Sequence, residues 1–436
     1  MSFSRIVPLL ACLIAVAVFP ASAQVSASLF DLSLDGEAIA GQPWPVDSFY
    51  GVRLMGNGTS WGEVNTAEGV YNWTNLDLWL AATDSHGTDA LYTFINVPQW
   101  ASSNPTDPIC RLGPGTCDPP NDLNANGTGP DQHWKDFVTA LVNYNQSSTT
   151  GHIYYWEMWN EAHNNFFWNG TYAQLVRMVS DAYAIIKSAD PQAVILSPTL
   201  GWQGQSLTWA SGYLAAGGAA YVDAAAIHGY VFEYQLPGPV KTDYPETLVT
   251  LLPAYQSMLN TYGLGSAPII DTEASWSENG LWGPYSTDPD LQAGFVARFY
   301  LLHAAYGIAR LYWFEWNDPT DGTLWLPDPN DPSAPGTVQK AGIAYQQVYN
   351  WLVGNYISTG CAQVGTVWTC GITGANGYTA QAVWDTSQTC SDGTCTTSPY
   401  QVNPMFTNYL TIYGSKILIK SKDVPIGALP ILLVNQ

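Results

Sequence analysis

Basic residues are scarce in this chain. Thirteen Lys and Arg stand against 35 Asp and Glu, which sets the net charge at −22. A surface of that sign repels polyanions, so DNA, RNA and anionic membranes are excluded as partners. Charge of either sign is sparse: it makes up 11% of the residues, against roughly 25% in an average soluble protein. The surface must therefore be built largely from Ser, Thr, Asn, Gln and Gly, which suits an exported protein working at low pH. Long apolar runs are missing too. The one candidate, residues 6–18, is shorter than the roughly 20 residues a membrane span needs. Arg5 precedes it, and Ala21-Ser22-Ala23 forms a small-residue cleavage pattern before Gln24. Residues 1–23 thus read as an export signal, and the expected product is secreted, extracellular or periplasmic. Tandem repeats are absent, which counts against an adhesive or structural surface protein. No Gly-rich loop follows the first strand-like segment, which counts against a doubly wound nucleotide-binding sheet.

Cysteine is sparse and paired. Cys12 lies in the export signal, and six others fall close together: Cys110 with Cys117, Cys361 with Cys370, Cys390 with Cys395. Sequence alone does not choose their connectivity, and local pairing is the simplest expectation. No pair of His residues lies beside them at ligand spacing, which argues against a zinc site. Sequons at Asn57, Asn72, Asn126, Asn145 and Asn169 would carry glycans only in a eukaryotic host.

What the chain has in quantity is hydrophobic and aromatic bulk. Hydrophobic residues make up 47% of its 436 positions, with 19 Trp and 26 Tyr. That length and core fit one large domain plus a small one. Strand-like runs at 28–34, 50–55, 91–95, 153–158, 194–197, 224–228, 268–272 and 310–314 alternate with amphipathic helical stretches. Such alternation predicts a parallel sheet, and eight units predict a (β/α)8 TIM barrel over 24–353. After about Gly354 helical periodicity stops. "TVWTCGI", "YTAQAVWD", "YLTIYG" and "PILLVN" are short strands separated by turn residues. They predict a small antiparallel, sandwich-like β domain over 354–436, packed on the barrel. Its rings are few, so a stabilising role is expected rather than glycan binding.

The chemistry concentrates at strand ends, where a barrel of this type places its site. The fourth strand ends in "YYWEMWNEAH", residues 154–163, with Asn160 and Glu161. The sixth is followed by His228 and Tyr230, the seventh carries Glu273, the eighth carries Trp313, Glu315 and Trp316, and the second ends near Arg53. Two glutamates opposite one another among aromatic rings are the equipment of glycoside hydrolysis. Plainer readings exist: a helix-capping acid for Glu161, a structural acid for Glu273, a core histidine for His228, plain core for any single Trp. Glu157 lies four residues before Glu161, deeper on the same strand, and is expected to be a structural acid paired with an Arg or Tyr.

At these residues the sequence resembles the clan A glycoside hydrolases, most closely the family 39 type of β-xylosidase and exopolysaccharide-hydrolase relatives. The resemblance runs in order through "GVRLMGNGTSWGEVNTAEGVYNWTNLD", "LYTFINVPQWAS", "YYWEMWNEAHNNFFWNGTYAQLVRMV", "AAIHGYV", "IIDTEASW" and "RLYWFEWNDPTDGTLW". Ala162 stands where relatives often have Pro, and Glu315 is an added acid beside a subsite. The resemblance implies a retaining mechanism with Glu161 as general acid/base and Glu273 as nucleophile. Trp159 would raise the pKa of Glu161 by desolvation, and Arg53 and Tyr230 would stabilise charge on Glu273. Asn160 would bond the sugar 2-hydroxyl, and His228 would orient the nucleophile or the sugar. Trp313 and Trp316 would floor the sugar subsite, with Trp100 stacking on a neighbouring sugar. The mechanism calls for no metal or organic cofactor. The partner is a carbohydrate substrate, and the dearth of Lys and Arg favours a neutral, β-linked one. Exo and endo action both fit, as does, in a different class, a barrel that binds polysaccharide without cutting it. Nothing in the sequence speaks to oligomeric state.

Overall fold

The computed structural model describes residues 23–201, 205–231, 244–276, 286, 288–318, 322–328 and 336–435. The export signal therefore lies outside the described residues. Eight short strands carry the expected parallel sheet: β1 (Asp31–Ser33), β2 (Gly51–Leu54), β3 (Asp89–Thr93), β4 (Ile153–Glu157), β5 (Val194–Leu196), β6 (Ala225–Ile227), β7 (Ile269–Ala274) and β8 (Arg310–Trp313). Each pairs in parallel with its sequence neighbour except across β5 and β6, and β1 pairs with both β2 and β8. A parallel bridge from Leu196 to Ala224 closes the ring between β5 and β6. The sheet is a (β/α)8 barrel.

Among the described residues, eight α-helices surround it: α1 (Trp61–Val64), α2 (Thr74–His86), α3 (Gln132–Ser147), α4 (Tyr172–Ala189), α5 (Gln205–Ala215), α6 (Leu248–Thr261), α7 (Pro289–Ala305) and α8 (Lys340–Leu352). α4 shows how sequence sets such a boundary. Thr171 and Gln174 form a reciprocal capping box, Thr171 Oγ1 accepting from Gln174 N at 3.2 Å and Gln174 Oε1 accepting from Thr171 N at 3.0 Å. Helix faces bury Leu175, Met178, Val179, Ala182 and Ile186 against the barrel. Inside the ring, Leu91, Leu196, Ala224, Ala226, Ile270 and Tyr312 fill the centre, as a packed core rather than a pore. At its lower end Arg310 bonds Asp31 and Asp89 at 2.6–3.1 Å, and its guanidinium lies over the Tyr155 ring at 4.4 Å.

A two-residue ladder, β9 (Trp325–Leu326) with β10 (Thr337–Val338), lies before α8. The chain then builds antiparallel sheets. A six-stranded sheet runs in the order β11 (Tyr356–Val364), β12 (Val367–Thr373), β13 (Thr379–Asp385), β20 (Ile431–Val434), β17 (Asn408–Thr411), β18 (Lys416–Leu418). Two small ladders accompany it: β14 (Cys390–Ser391) with β15 (Thr394–Cys395), and β16 (Thr397–Gln401) with β19 (Asp423–Gly427). All three expected local disulfides are present: Cys110–Cys117, Cys361–Cys370 and Cys390–Cys395. The antiparallel part docks on the helix layer. Trp384 Nε1 donates to Glu246 Oε1 at 2.6 Å, and Arg298 of α7 bonds the same carboxylate at 2.5 and 2.8 Å. Tyr413 donates to Asp290 Oδ1 at 2.5 Å, beside the Lys340 ammonium at 2.8 Å. Trp368 stacks on Trp384 at 5.8 Å, so these two rings are packing groups and not an open sugar platform. Among the described residues, no helix is long and apolar enough to cross a membrane.

Candidate active site

Arg53 is the hub of the upper barrel. Its side chain has no exposed surface, so each of its donors needs an acceptor. Nε lies 3.0 Å from Glu157 Oε2 and 3.1 Å from Thr93 Oγ1, Nη1 donates to Glu273 Oε2 at 2.7 Å, and Nη2 donates to Asn160 Oδ1 at 2.8 Å. Glu157 is the deep acid expected from the sequence. Thr93, Thr199 and Thr272 hydroxyls also donate to it at 2.7, 2.9 and 2.8 Å. A buried ion pair is tolerable only when satisfied in this way. Burial works against the charge on Arg53, but Glu157 and Glu273 outweigh it and hold the guanidinium above its ordinary pKa.

Glu161 is aimed by a bend just beyond β4. Its φ is +38°, in a left-handed region that costs a non-glycine residue roughly 1–3 kcal/mol. The bend is held from both sides: Asn160 N donates to Phe94 O at 3.2 Å, and Asn164 N to Glu161 O at 2.8 Å. Opposite, Tyr230 donates to Glu273 Oε1 at 3.1 Å. His228 stands between the glutamates. Its Nδ1 is 2.9 Å from Glu161 Oε1, and its Nε2 is 3.7 Å from Glu273 Oε2 and 3.3 Å from Thr199 Oγ1. One carboxylate oxygen from each glutamate and a His228 nitrogen all lie within 4.8 Å of one another. The glutamate side chains keep 14% and 12% exposure while Arg53 and His228 have none, so the two acids are the part of the cluster open to a ligand. A cation at this point would compete with Arg53, which already supplies positive charge 2.7 Å from Glu273.

The turn carrying His228 and Tyr230 is fixed from behind. Asp271 Oδ1 accepts from Gly229 N at 2.9 Å, and Asp271 Oδ2 lies 2.8 Å from His303 Nε2 on α7. Glycine is required between the two functional residues, because a Cβ at 229 would fall 2.0 Å from Asp271 Oδ2.

Three expectations are corrected. Trp159 does not raise the pKa of Glu161: it packs on Trp168 and Trp134 in the outer layer and donates to Phe167 O at 2.9 Å. Burial does push the Glu161 carboxyl up, but the hydrogen bond and charge of His228 outweigh it and bring the carboxyl below its ordinary value. His228 moves the opposite way. Burial lowers it, and Glu273 together with Glu161 lift it above the ordinary histidine range. Trp313 does not floor the pocket. Alternation along β8 turns Tyr312 into the barrel and Trp313 outward against Phe299 and Tyr300. Trp316 is also fully buried, stacked on Trp325 at 4.6 Å with Nε1 on Asp47 Oδ2 at 3.1 Å. Trp100 is half-buried in the loop after β3, its Nε1 on Asn65 O at 2.8 Å and its ring against His133; it is not among the groups bonded to the glutamates. Sequence reading also missed the threonine cage of Thr93, Thr199 and Thr272. Its signal was a hydroxyl at the end of β3, just beyond β5 and within β7, facing an acid too deep to be free.

Neither a protein-family model nor a curated protein matches the sequence. Solved structures do match in fold. A family 39 glycoside hydrolase from Bacteroides cellulosilyticus WH2 aligns with 89% of this chain and 76% of its own at 16% identity, with a TM-score of 0.65. A GH30 endoxylanase from Clostridium papyrosolvens C71 aligns with 95% and 97% at 11% identity and a TM-score of 0.60. A GH51 arabinofuranosidase from Xanthomonas axonopodis pv. citri aligns with 96% and 98% at 12% identity and a TM-score of 0.58. The chain therefore has the fold of the clan A glycoside hydrolases, a family 39 enzyme among the structures most like it.

Proposed function

We propose that this protein is an exported retaining glycoside hydrolase that cleaves β-linked, neutral oligo- or polysaccharides. The observation that carries the reading is the pair of half-open glutamates at the ends of β4 and β7, with oxygens within 4.8 Å. A retaining mechanism needs the two carboxyl groups about 5–5.5 Å apart, with no room for a water between them. Glu273, bonded by Arg53 and Tyr230, attacks the anomeric carbon as the bond to the leaving oxygen breaks. Glu161 delivers a proton to that oxygen from the pool it shares with His228. The resulting glycosyl ester is then hydrolysed: Glu161 takes a proton from water, the water oxygen bonds the anomeric carbon, and Glu273 is released. Asn160 accepts from Arg53 through Oδ1, which leaves its NH2 group for the sugar 2-hydroxyl. The low content of Lys and Arg, with Arg53 consumed inside the cluster, supports a neutral substrate over an acidic one.

The test is a digestion screen over neutral and acidic polysaccharides and aryl glycosides, from pH 3 to 8. Wild type runs beside Glu161→Gln and Glu273→Gln. The expected result is sugar release by wild type and a loss of about 10³-fold or more in each variant on substrates with poor leaving groups. Product lengths separate exo from endo action. A wild type that is retained by a polysaccharide but cuts none supports the binding-barrel alternative.

A further inference from the structure

The loop between β3 and α3 ends in Asp122-Leu-Asn-Ala-Asn-Gly-Thr-Gly-Pro-Asp131. Its first six residues have the pattern that opens a calcium loop: an acid at the first position, Asp or Asn at the third and fifth, Gly at the sixth. Gly127 takes φ +77°, and a Cβ there would meet Ala173 O at 2.6 Å, so the turn needs this glycine. The pattern departs at its twelfth position, where His133 replaces the usual Glu.

The motif alone would decide nothing; Asp131 is the independent observation. It has no exposed surface, no donor group reaches either of its carboxylate oxygens, and its close carboxyl neighbour is Asp181, which would have to share a proton with it to bond it. It precedes α3 without capping it. Asp122 takes that role, Oδ2 accepting from Gln132 N at 2.6 Å, while Asp122 Oδ1 is also buried and unbonded. The carboxyls facing Asp131 are Asp181 of α4 and Asp122, and the cation that reaches it is Arg177. Arg177 is shared, with Nε 2.8 Å from Asp181 Oδ2 and Nη1 3.4 Å from Gly127 O. Burial, then Asp181 and Asp122, push the Asp131 carboxyl up to about 8. A buried carboxylate without a donor needs either a proton or a cation. The loop is already fastened across α4 by Thr171 Oγ1 to Ala125 O at 2.7 Å and Gln174 Nε2 to Leu123 O at 3.0 Å.

We propose that Asp122, Asp131 and Asp181 hold a divalent cation, calcium by the all-oxygen donor set, that ties the β3–α3 loop to α4. The oxygens of the three carboxylates do not all lie within 4.8 Å of one another, so the ion would draw them together, with loop carbonyls and water completing the shell, as hard cations accept. The one guanidinium offsets one of three negative charges, and a divalent ion offsets the rest. The site involves neither Glu161 nor Glu273 and stands apart from the glycosidase reading.

The test uses the full mature chain, stripped with EDTA and titrated with calcium chloride by calorimetry at pH 8, with the thermal midpoint followed in parallel. One calcium per chain is expected, with a midpoint that climbs with calcium concentration. Affinity should fall toward pH 5, where protons compete for Asp131. Asp131→Asn should weaken binding by about tenfold or more; Asp181→Asn should do the same and serves if the first variant does not fold. Glu161→Gln combined with Glu273→Gln should bind calcium as wild type does. No heat and no midpoint change in wild type at millimolar calcium overturns the proposal, leaving a proton shared between Asp131 and Asp181. Undiminished binding in both Asp variants overturns it as well, as does loss of binding in the double Gln variant.

Discussion

Arg53 and His228 divide the electrostatic work at the level of single residues. Arg53 holds Glu157, Asn160 and Glu273 in one plane of donors, a geometry a lysine ammonium cannot copy. Arg53→Lys should lower kcat/KM by about 10²-fold or more, while circular dichroism shows a folded protein. A variant with wild-type kcat/KM would remove Arg53 from the mechanism. In the proposed mechanism His228 shares the proton that Glu161 donates. Its raised pKa keeps the pair protonated above the ordinary histidine value, so activity should be lost as pH rises through that raised value. In His228→Asn the proton must sit on Glu161 alone, and the alkaline limb of the kcat/KM profile should move to lower pH. An unmoved limb would assign the proton elsewhere. Arg53 was legible in the sequence because a lone cation in an apolar strand demands an acid. Trp313 and Trp316 misled because a ring beside a strand end has two faces of the sheet to choose from, and only the parity of Tyr312 settles which.

At the level of elements, every barrel strand was legible because each lies in a short, largely apolar run that alternates with helical stretches. Helix α5 was not. Its segment "QSLTWASGYLA" mixes Ser, Thr and Gly, which are weak helix formers, so packing decides its state. Strand β11 was missed for a related reason: only Ile357 along it is buried, so it carries no apolar alternation to read. One sequon also changes meaning once the elements are placed. Asn145 is buried at the end of α3, its amide bonded to both backbone groups of Ile153 at 2.8 and 3.1 Å, so it is no glycan acceptor in the folded chain. The antiparallel part shares one apolar core with the helix layer, and a few polar side chains reinforce the joint. Removing the Trp384 hydrogen bond to Glu246 should cost about 1.5–3 kcal/mol, because the acceptor is a carboxylate that also holds Arg298. Trp384→Phe should therefore lower the urea midpoint without changing its slope. A midpoint equal to wild type would show that this hydrogen bond adds nothing to the joint.

Across the whole molecule, charge and burial act together on pH dependence. Burial pushes Asp31 and Glu37 to about 7 and Asp47 to about 6. An acid whose pKa is higher folded than unfolded binds more protons in the native state, so its contribution to stability is lost as pH rises through the folded value. Self-repulsion at a net charge of −22 works in the same direction. The thermal midpoint, measured without added metal, should be several degrees higher at pH 5 than at pH 8. A midpoint that rises with pH over this range would contradict the assignment. Such a profile suits the acidic surroundings that the lysine-poor surface first suggested.

The covalent intermediate is the most direct measure of the central claim. Wild type and Glu273→Gln would be incubated with a panel of 2-deoxy-2-fluoro-β-glycosyl fluorides, digested and mapped by mass spectrometry. One glycosyl group is expected on the peptide containing Glu273 in wild type and none in the variant. A glycosyl group on another acid, or turnover that yields the inverted anomer without any labelled peptide, would contradict it.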